Sequence, residues 1–144
     1  MNHVKIQKKI LDNFLKTNSE LFCLTFDDCY WISDNRFQLF RIEKSEMWLN
    51  VEKMMQGRQY ATSLAKIINV EGEDAHLTNE MKQLPSKTVV KIASTNNQSW
   101  VDKKLLDRFE IKTGLHFTLS NKKNGMILVW EDETLCGLIC PVMV

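Results

Sequence analysis

The heptapeptide Lys8-Lys9-Ile10-Leu11-Asp12-Asn13-Phe14 returns near the other end of the chain as Lys103-Lys104-Leu105-Leu106-Asp107-Arg108-Phe109, with five of the seven positions identical. In the first copy Ile10, Leu11, Phe14 and Leu15 follow the i, i+3, i+4 spacing of one helix face, with Ile6 a turn earlier. This predicts a helix from Val4 to Lys16, ended by the polar Thr17-Asn18-Ser19. Its opposite face carries Lys5, Lys8, Lys9, Asp12 and Lys16 and is mostly basic. Around the second copy, Ser99 followed three residues later by Asp102 resembles a capping box. Val101, Leu105, Leu106 and Phe109 would then form a buried stripe, and Gly114 would close the helix. Lys103, Lys104, Asp107 and Arg108 occupy the exposed face of that helix.

Three strand-like runs follow each helix. In the first half they are Leu21 to Phe26, Cys29 to Ser33 and Phe37 to Glu43, separated by Asp27-Asp28 and Asp34-Asn35, whose short polar side chains bond their own backbone in turns. In the second half they are His116 to Ser120, Met126 to Glu131 and Thr134 to Val142, separated by residues 121–125 and by Glu131-Asp132-Glu133. The plan is helix, strand, strand, strand, twice. Short amphipathic helices of Lys, Leu and Asp also match by chance, but the shared strand order favours internal repetition. The expected architecture is one α+β domain over residues 1–144. Half 1 covers about 1–45, a connecting segment about 46–87 and half 2 about 88–144. In the connecting segment Met47, Trp48, Val51, Met54 and Met55 have helical spacing with Gly57 as a cap, and Tyr60, Leu64, Ile67 and Ile68 continue the pattern. Glu71-Gly72-Glu73-Asp74 reads as a turn, Pro85 ends whatever Leu77 to Leu84 forms, and Thr88 to Ala93 reads as a strand leading into the second helix.

Chemistry is sparse along the chain. A hydrophobic fraction of 44% with seven Phe and four Trp supports a packed core, and a net charge of +1 gives no global electrostatic case for nucleic acid. The N-terminal lysines precede no apolar stretch of the secretory type, and no apolar run approaches membrane-spanning length, so a soluble cytoplasmic protein without membrane contact is expected. Cys23, Cys29, Cys136 and Cys140 lie in or beside apolar runs, as reduced core thiols do. None of His3, His76 and His116 stands at ligand spacing from a cysteine pair, so no metal or other cofactor is expected. A Gly-rich phosphate loop, a zinc helix and a nucleophile elbow are all missing, while the paired acids Asp27-Asp28 and Glu131-Asp132-Glu133 read as turn residues. The expectation is a non-enzyme.

Three segments stand out together: Trp31-Ile32-Ser33-Asp34-Asn35-Arg36-Phe37-Gln38-Leu39, the helix Val101-Asp102-Lys103-Lys104-Leu105-Leu106-Asp107, and the terminus Gly137-Leu138-Ile139-Cys140-Pro141-Val142-Met143-Val144. In this order they resemble the DNA sliding clamp family, the processivity factors of replicative polymerases, and in particular one domain of a bacterial beta clamp. The resemblance implies helices on one layer and sheets on the other. It also implies that Lys5, Lys8, Lys9, Lys16, Lys103, Lys104 and Arg108 face the phosphates of double-stranded DNA. Sequence-independent attraction to the backbone is what sliding requires. In that family the last strand helps form an apolar pocket for linear peptides of polymerases and repair proteins, which here implies Cys140, Pro141, Val142 and a flexible Met143. A ring of the familiar six-domain circumference would need six copies of this chain, or other partners.

Two functional expectations follow. One is a clamp-like replication accessory that self-associates, binds DNA non-specifically and tethers a polymerase or another clamp-binding protein. The other is a non-ring interaction module that regulates a polymerase, a clamp or another partner. Both features that support them also have an ordinary explanation: lysines on a helix face are often only solubilising, and Ile139 to Val144 can be simply the last core strand.

Overall fold

The computed structural model describes residues 1–54, 72–110, 114–121 and 125–144, and the chain divides into two units, Asn2–Ile68 and Asn69–Val144, with Met1 belonging to the latter. Helices and antiparallel strands make it an α+β chain.

In the first unit, helix α1 (His3–Thr17) begins where the Asn2 side chain accepts from the Lys5 amide and ends at Asn18 in the left-handed region, φ 50°. Its bounds lie within a residue of the expected ones, but its buried face differs. Ile6, Gln7 and Ile10 are buried, whereas Leu15 is 70% exposed. At roughly 100° per residue, five positions carry Leu15 about 140° around the helix from Ile10. Polar Gln7 takes an interior place instead, at 0% exposure, and its amide is matched. Gln7 Nε2 donates to the Glu46 carbonyl at 2.9 Å, and Oε1 accepts from the Trp48 and Leu49 amides at 3.0 and 3.3 Å.

Strands β1 (Phe22–Phe26), β2 (Cys29–Ser33) and β3 (Gln38–Glu43) form the expected meander, with Leu24 opposite Trp31 and Trp31 opposite Arg41. Asp27 and Asp28 both adopt positive φ, 52° and 60°, as a two-residue hairpin turn with native strand twist requires. The next turn is organised by buried Asp34, whose carboxylate accepts from Asn13 Nδ2 at 2.6 Å and Asn35 Nδ2 at 3.1 Å. A 3-10 turn (Lys44–Glu46) and the short helix α2 (Val51–Met54) follow, so Met47 and Trp48 precede the helix expected to contain them. Met55, Gly57, Tyr60, Leu64, Ile67 and Ile68 lie outside the described residues.

The second unit contains β4 (Gly72–Gln83), β5 (Thr88–Ala93), β6 (Gln98–Asp102), helix α3 (Lys103–Asp107), β7 (Leu115–Ser120), β8 (Ile127–Glu131) and β9 (Thr134–Ile139). Its strands run in the order β9-β8-β7-β4-β5-β6, antiparallel throughout. β4 serves two neighbours: Gly72–Ala75 pair with β7, and His76–Gln83 pair with β5 through a register shift between Leu77 and Met81. Beyond β9, Val142 bridges back to Trp100 in β6, so the two outer strands of this unit's sheet are joined by the tail and the sheet rolls on itself. Ile92, Val101, Phe109, Leu119, Ile127 and Ile139 are among its fully buried residues.

Two expectations are corrected here. Gly72, Glu73 and Asp74 belong to a strand, not a turn. The long second helix is also absent among the described residues, because residues 98–102 are extended and only five residues coil after them. The deciding element is the turn Ser94 to Asn97, closed by the Ser94 amide on the Asn97 carbonyl at 2.9 Å, which sends the chain back along β5. Val101 is buried as a strand residue, and Ser99 donates to the Gly125 carbonyl at 2.7 Å instead of capping a helix. Asp102 is the cap, accepting from the Lys104 amide at 2.9 Å. The two heptapeptide copies therefore occupy different settings, one within a long helix and one starting a helix directly after a strand.

Replacing Gln7 with Leu leaves the Glu46 carbonyl and the Trp48 and Leu49 amides without their partner, for an expected loss of about 1–3 kcal/mol. Urea unfolding should show a lower midpoint at unchanged slope.

Candidate functional site

Strand alternation builds the most distinctive surface of the second unit. Lys91 in β5 stands opposite Trp100 in β6, and Lys82 in β4 stands opposite Val89, so both lysines share the Trp100 face. The Lys82 Nζ lies 4.7 Å and the Lys91 Nζ 5.9 Å from the indole centroid, and Lys91 also pairs with Glu80 at 2.9 Å. Ammonium groups over an indole face are attracted by its quadrupole, by about 0.5–1 kcal/mol at exposed sites. The half-buried ring is thus held in place while part of it faces solvent. Leu77 and Met81, also on β4, stand opposite Ile92 and Val90 and so belong to the other face of the sheet, where they are 40% and 56% exposed.

The tail reaches this surface. Val142 donates its amide to the Trp100 carbonyl at 2.7 Å, and as the directly opposed residue of an antiparallel pair it shares the Trp100 face. Cys140, Pro141 and Val142 are half-buried, while Met143 and Val144 are 73% and 57% exposed. The four residues implicated by sequence, Cys140, Pro141, Val142 and Met143, therefore belong to a segment joined to Trp100, with Lys82 and Lys91 beside the ring. Sequence reasoning missed Trp100, Lys82 and Lys91. Their common face depends on β6 being a strand, and the only local signal was the β-prone pair Trp100-Val101.

The candidate phosphate ligands divide between two elements. Lys5, Lys8, Lys9 and Lys16 are all exposed on α1. Lys103 and Lys104 are exposed on α3, where Lys103 pairs with Asp107 at 2.7 Å, and Arg108 is half-buried just beyond it. Among the described residues no three His, Cys, Asp or Glu side chains converge as metal ligands would, and no helix is long and apolar enough to cross a membrane. Glu131 pairs in β8, and Asp132 and Glu133 form the turn to β9. Burial pushes the Cys23 thiol up to about 12 and raises that of Cys140, the opposite of what a nucleophilic cysteine needs. His116 stacks on Trp130 with centroids 6.4 Å apart, and Trp130 Nε1 donates to Thr118 at 3.0 Å, so that aromatic pair is engaged in its own hairpin. Compared with protein-family models, curated proteins and solved structures, the chain matches none.

The Cys23 environment carries a pH signature. The thiol titrates at 9.0 when unfolded and about 12 when folded, so its contribution to stability is complete below pH 9 and is lost as pH rises through that window. Relative to Cys23→Ala, the native chain should lose up to about 1.4 kcal/mol more per pH unit there, measured by urea unfolding at stepped pH.

Proposed function

We propose that this chain is a non-ring protein-interaction module whose contact surface is the Trp100 face together with the tail Cys140–Val144. The observation that carries the reading is an aromatic ring and an apolar tail brought together at solvent: Trp100 with Val142 directly opposite it, followed by the exposed Met143 and Val144. Tryptophan and methionine are enriched at the cores of protein contacts, and apolar side chains left at the surface mark such contacts when they gather. Lys82 and Lys91 give the surface a cationic rim suited to a partner with acidic flanks. Regulation of a polymerase, a clamp or another protein is the role in keeping with this reading.

A photo-crosslinking residue at position 143, introduced in living cells of the source organism, should give one discrete protein adduct. The adduct should be lost in the Trp100→Ala background and absent when the crosslinker sits at Thr25. No adduct at position 143, or the same adducts from both positions, would refute the assignment.

A second reading, the clamp-like accessory, is favoured by one observation: four exposed lysines on α1 at positions 5, 8, 9 and 16. A cationic helix face binds DNA backbone without reading bases, and binding weakens as salt rises. If α1 meets duplex DNA, Lys8→Glu with Lys9→Glu should lower affinity and reduce the log–log salt slope by about 2, since each phosphate contact contributes roughly 0.9. Unchanged retention on circular DNA would remove this reading.

A further inference from the structure

The tail is seated on β6 as an extended segment, yet its hold is slight. Among the described residues one backbone hydrogen bond, Val142 amide to Trp100 carbonyl, ties Pro141–Val144 to the strand, and the two residues after it are exposed. The other side of β6 is fully paired, from Gln98 opposite Ala93 to Asp102 opposite Val89. β6 therefore has one side committed to β5 and one side held by a placeholder. We infer that the outer edge of β6 is a strand-addition site, where an extended, apolar peptide segment of a partner protein replaces the chain's own tail. This rests on the interaction-module reading and names its mode.

What the edge accepts is written in what occupies it. Pro141-Val142-Met143-Val144 carries no charged side chain, Val142 and Val144 favour extended backbone, and Pro141 restricts Cys140 to an extended conformation. Val142 places an aliphatic side chain on the Trp100 face, so a replacing peptide would carry an aliphatic residue there and donate its amide to the Trp100 carbonyl. A partner strand running along β6 forms several such bonds where the tail forms one, and main-chain bonds of this kind supply the affinity in strand addition. The partner is favoured over a second copy of the chain for a simple reason. A swapped tail would exchange one bond for the same bond and gain nothing. The tail's function is competition: as a tethered ligand it is present at millimolar effective concentration, so only segments that pair better than it does displace it.

The probe is a fluorescein-labelled peptide with the sequence of residues 138–144, titrated by fluorescence anisotropy. A chain ending at Ile139 should bind it at least about tenfold more tightly than the full chain, whose own tail competes. The same peptide N-methylated at the valine corresponding to Val142 lacks the donor and should not bind. Should the shortened chain fail to fold by circular dichroism, full-length Val142→Pro, which lacks the same amide, takes its place and should also bind more tightly than the native chain. Equal binding by the methylated peptide, or no binding to either folded receptor, overturns strand addition. A position-143 crosslink that persists alongside such a failure would leave the interaction surface standing and reject only this mode.

Discussion

The second unit depends on β4 pairing with β7 at one end and β5 at the other, and that double duty turns on a close approach at Gly72. A Cβ there would sit 2.7 Å from the Leu119 carbonyl oxygen, nearer than a methyl group can approach. Glycine lets the two backbones meet, and the shift between Leu77 and Met81 then re-aims the strand toward β5. A flat sheet could not bring its first and last strands together. The rolled one does so, through Val142 and Trp100.

A parallel economy operates in the first unit. Gln7 is a polar residue in an apolar position, tolerable because its donor and its acceptor are both used by the chain just after β3. The helix is thereby tied to the segment leaving the meander, and that segment's direction follows from α1 and not from its own weak helical signal. Asp34 acts similarly at the β2–β3 turn, where a buried carboxylate joins α1 to the meander through Asn13.

Much of this architecture is legible in the residue order, and the exceptions have physical causes. α1 and the strands of the first meander stand out because apolar runs alternate with short acidic turns, the strongest local punctuation available. β7, β8 and β9 are readable because the Asn- and Gly-containing residues 121–125 and the acidic Glu131-Asp132-Glu133 punctuate their apolar runs in the same way. The second helix misleads because Leu105, Leu106 and Phe109 satisfy helical spacing whether or not residues 98–102 coil with them. Trp100 and Val101 are at home in a strand, and the partner supplied by β5 decides the matter. Gly72-Glu73-Asp74 misleads in the other direction, since turn-prone residues become a strand where a long-range neighbour requires glycine. The tail's position among the implicated residues is visible from sequence, but its neighbours are not. Lys82, Lys91 and Trp100 come together only through cross-strand register, which no window of sequence contains.

The rolled sheet also sets an order of assembly. β5 with β6, β7 with β8, and β8 with β9 are hairpins or near neighbours between successive strands, and such local pairs close in microseconds. The pairing of β4 with β7 and the seam at Trp100 instead join parts of the chain separated by several elements, and contacts of that kind are late because chain entropy must be surrendered first. On a growing chain the seam also waits for synthesis itself, since β7, β8 and β9 are all made between Trp100 and Val142. Until then the outer side of β6 stays open, so a newly made molecule meets its surroundings with the edge uncovered before its own tail arrives.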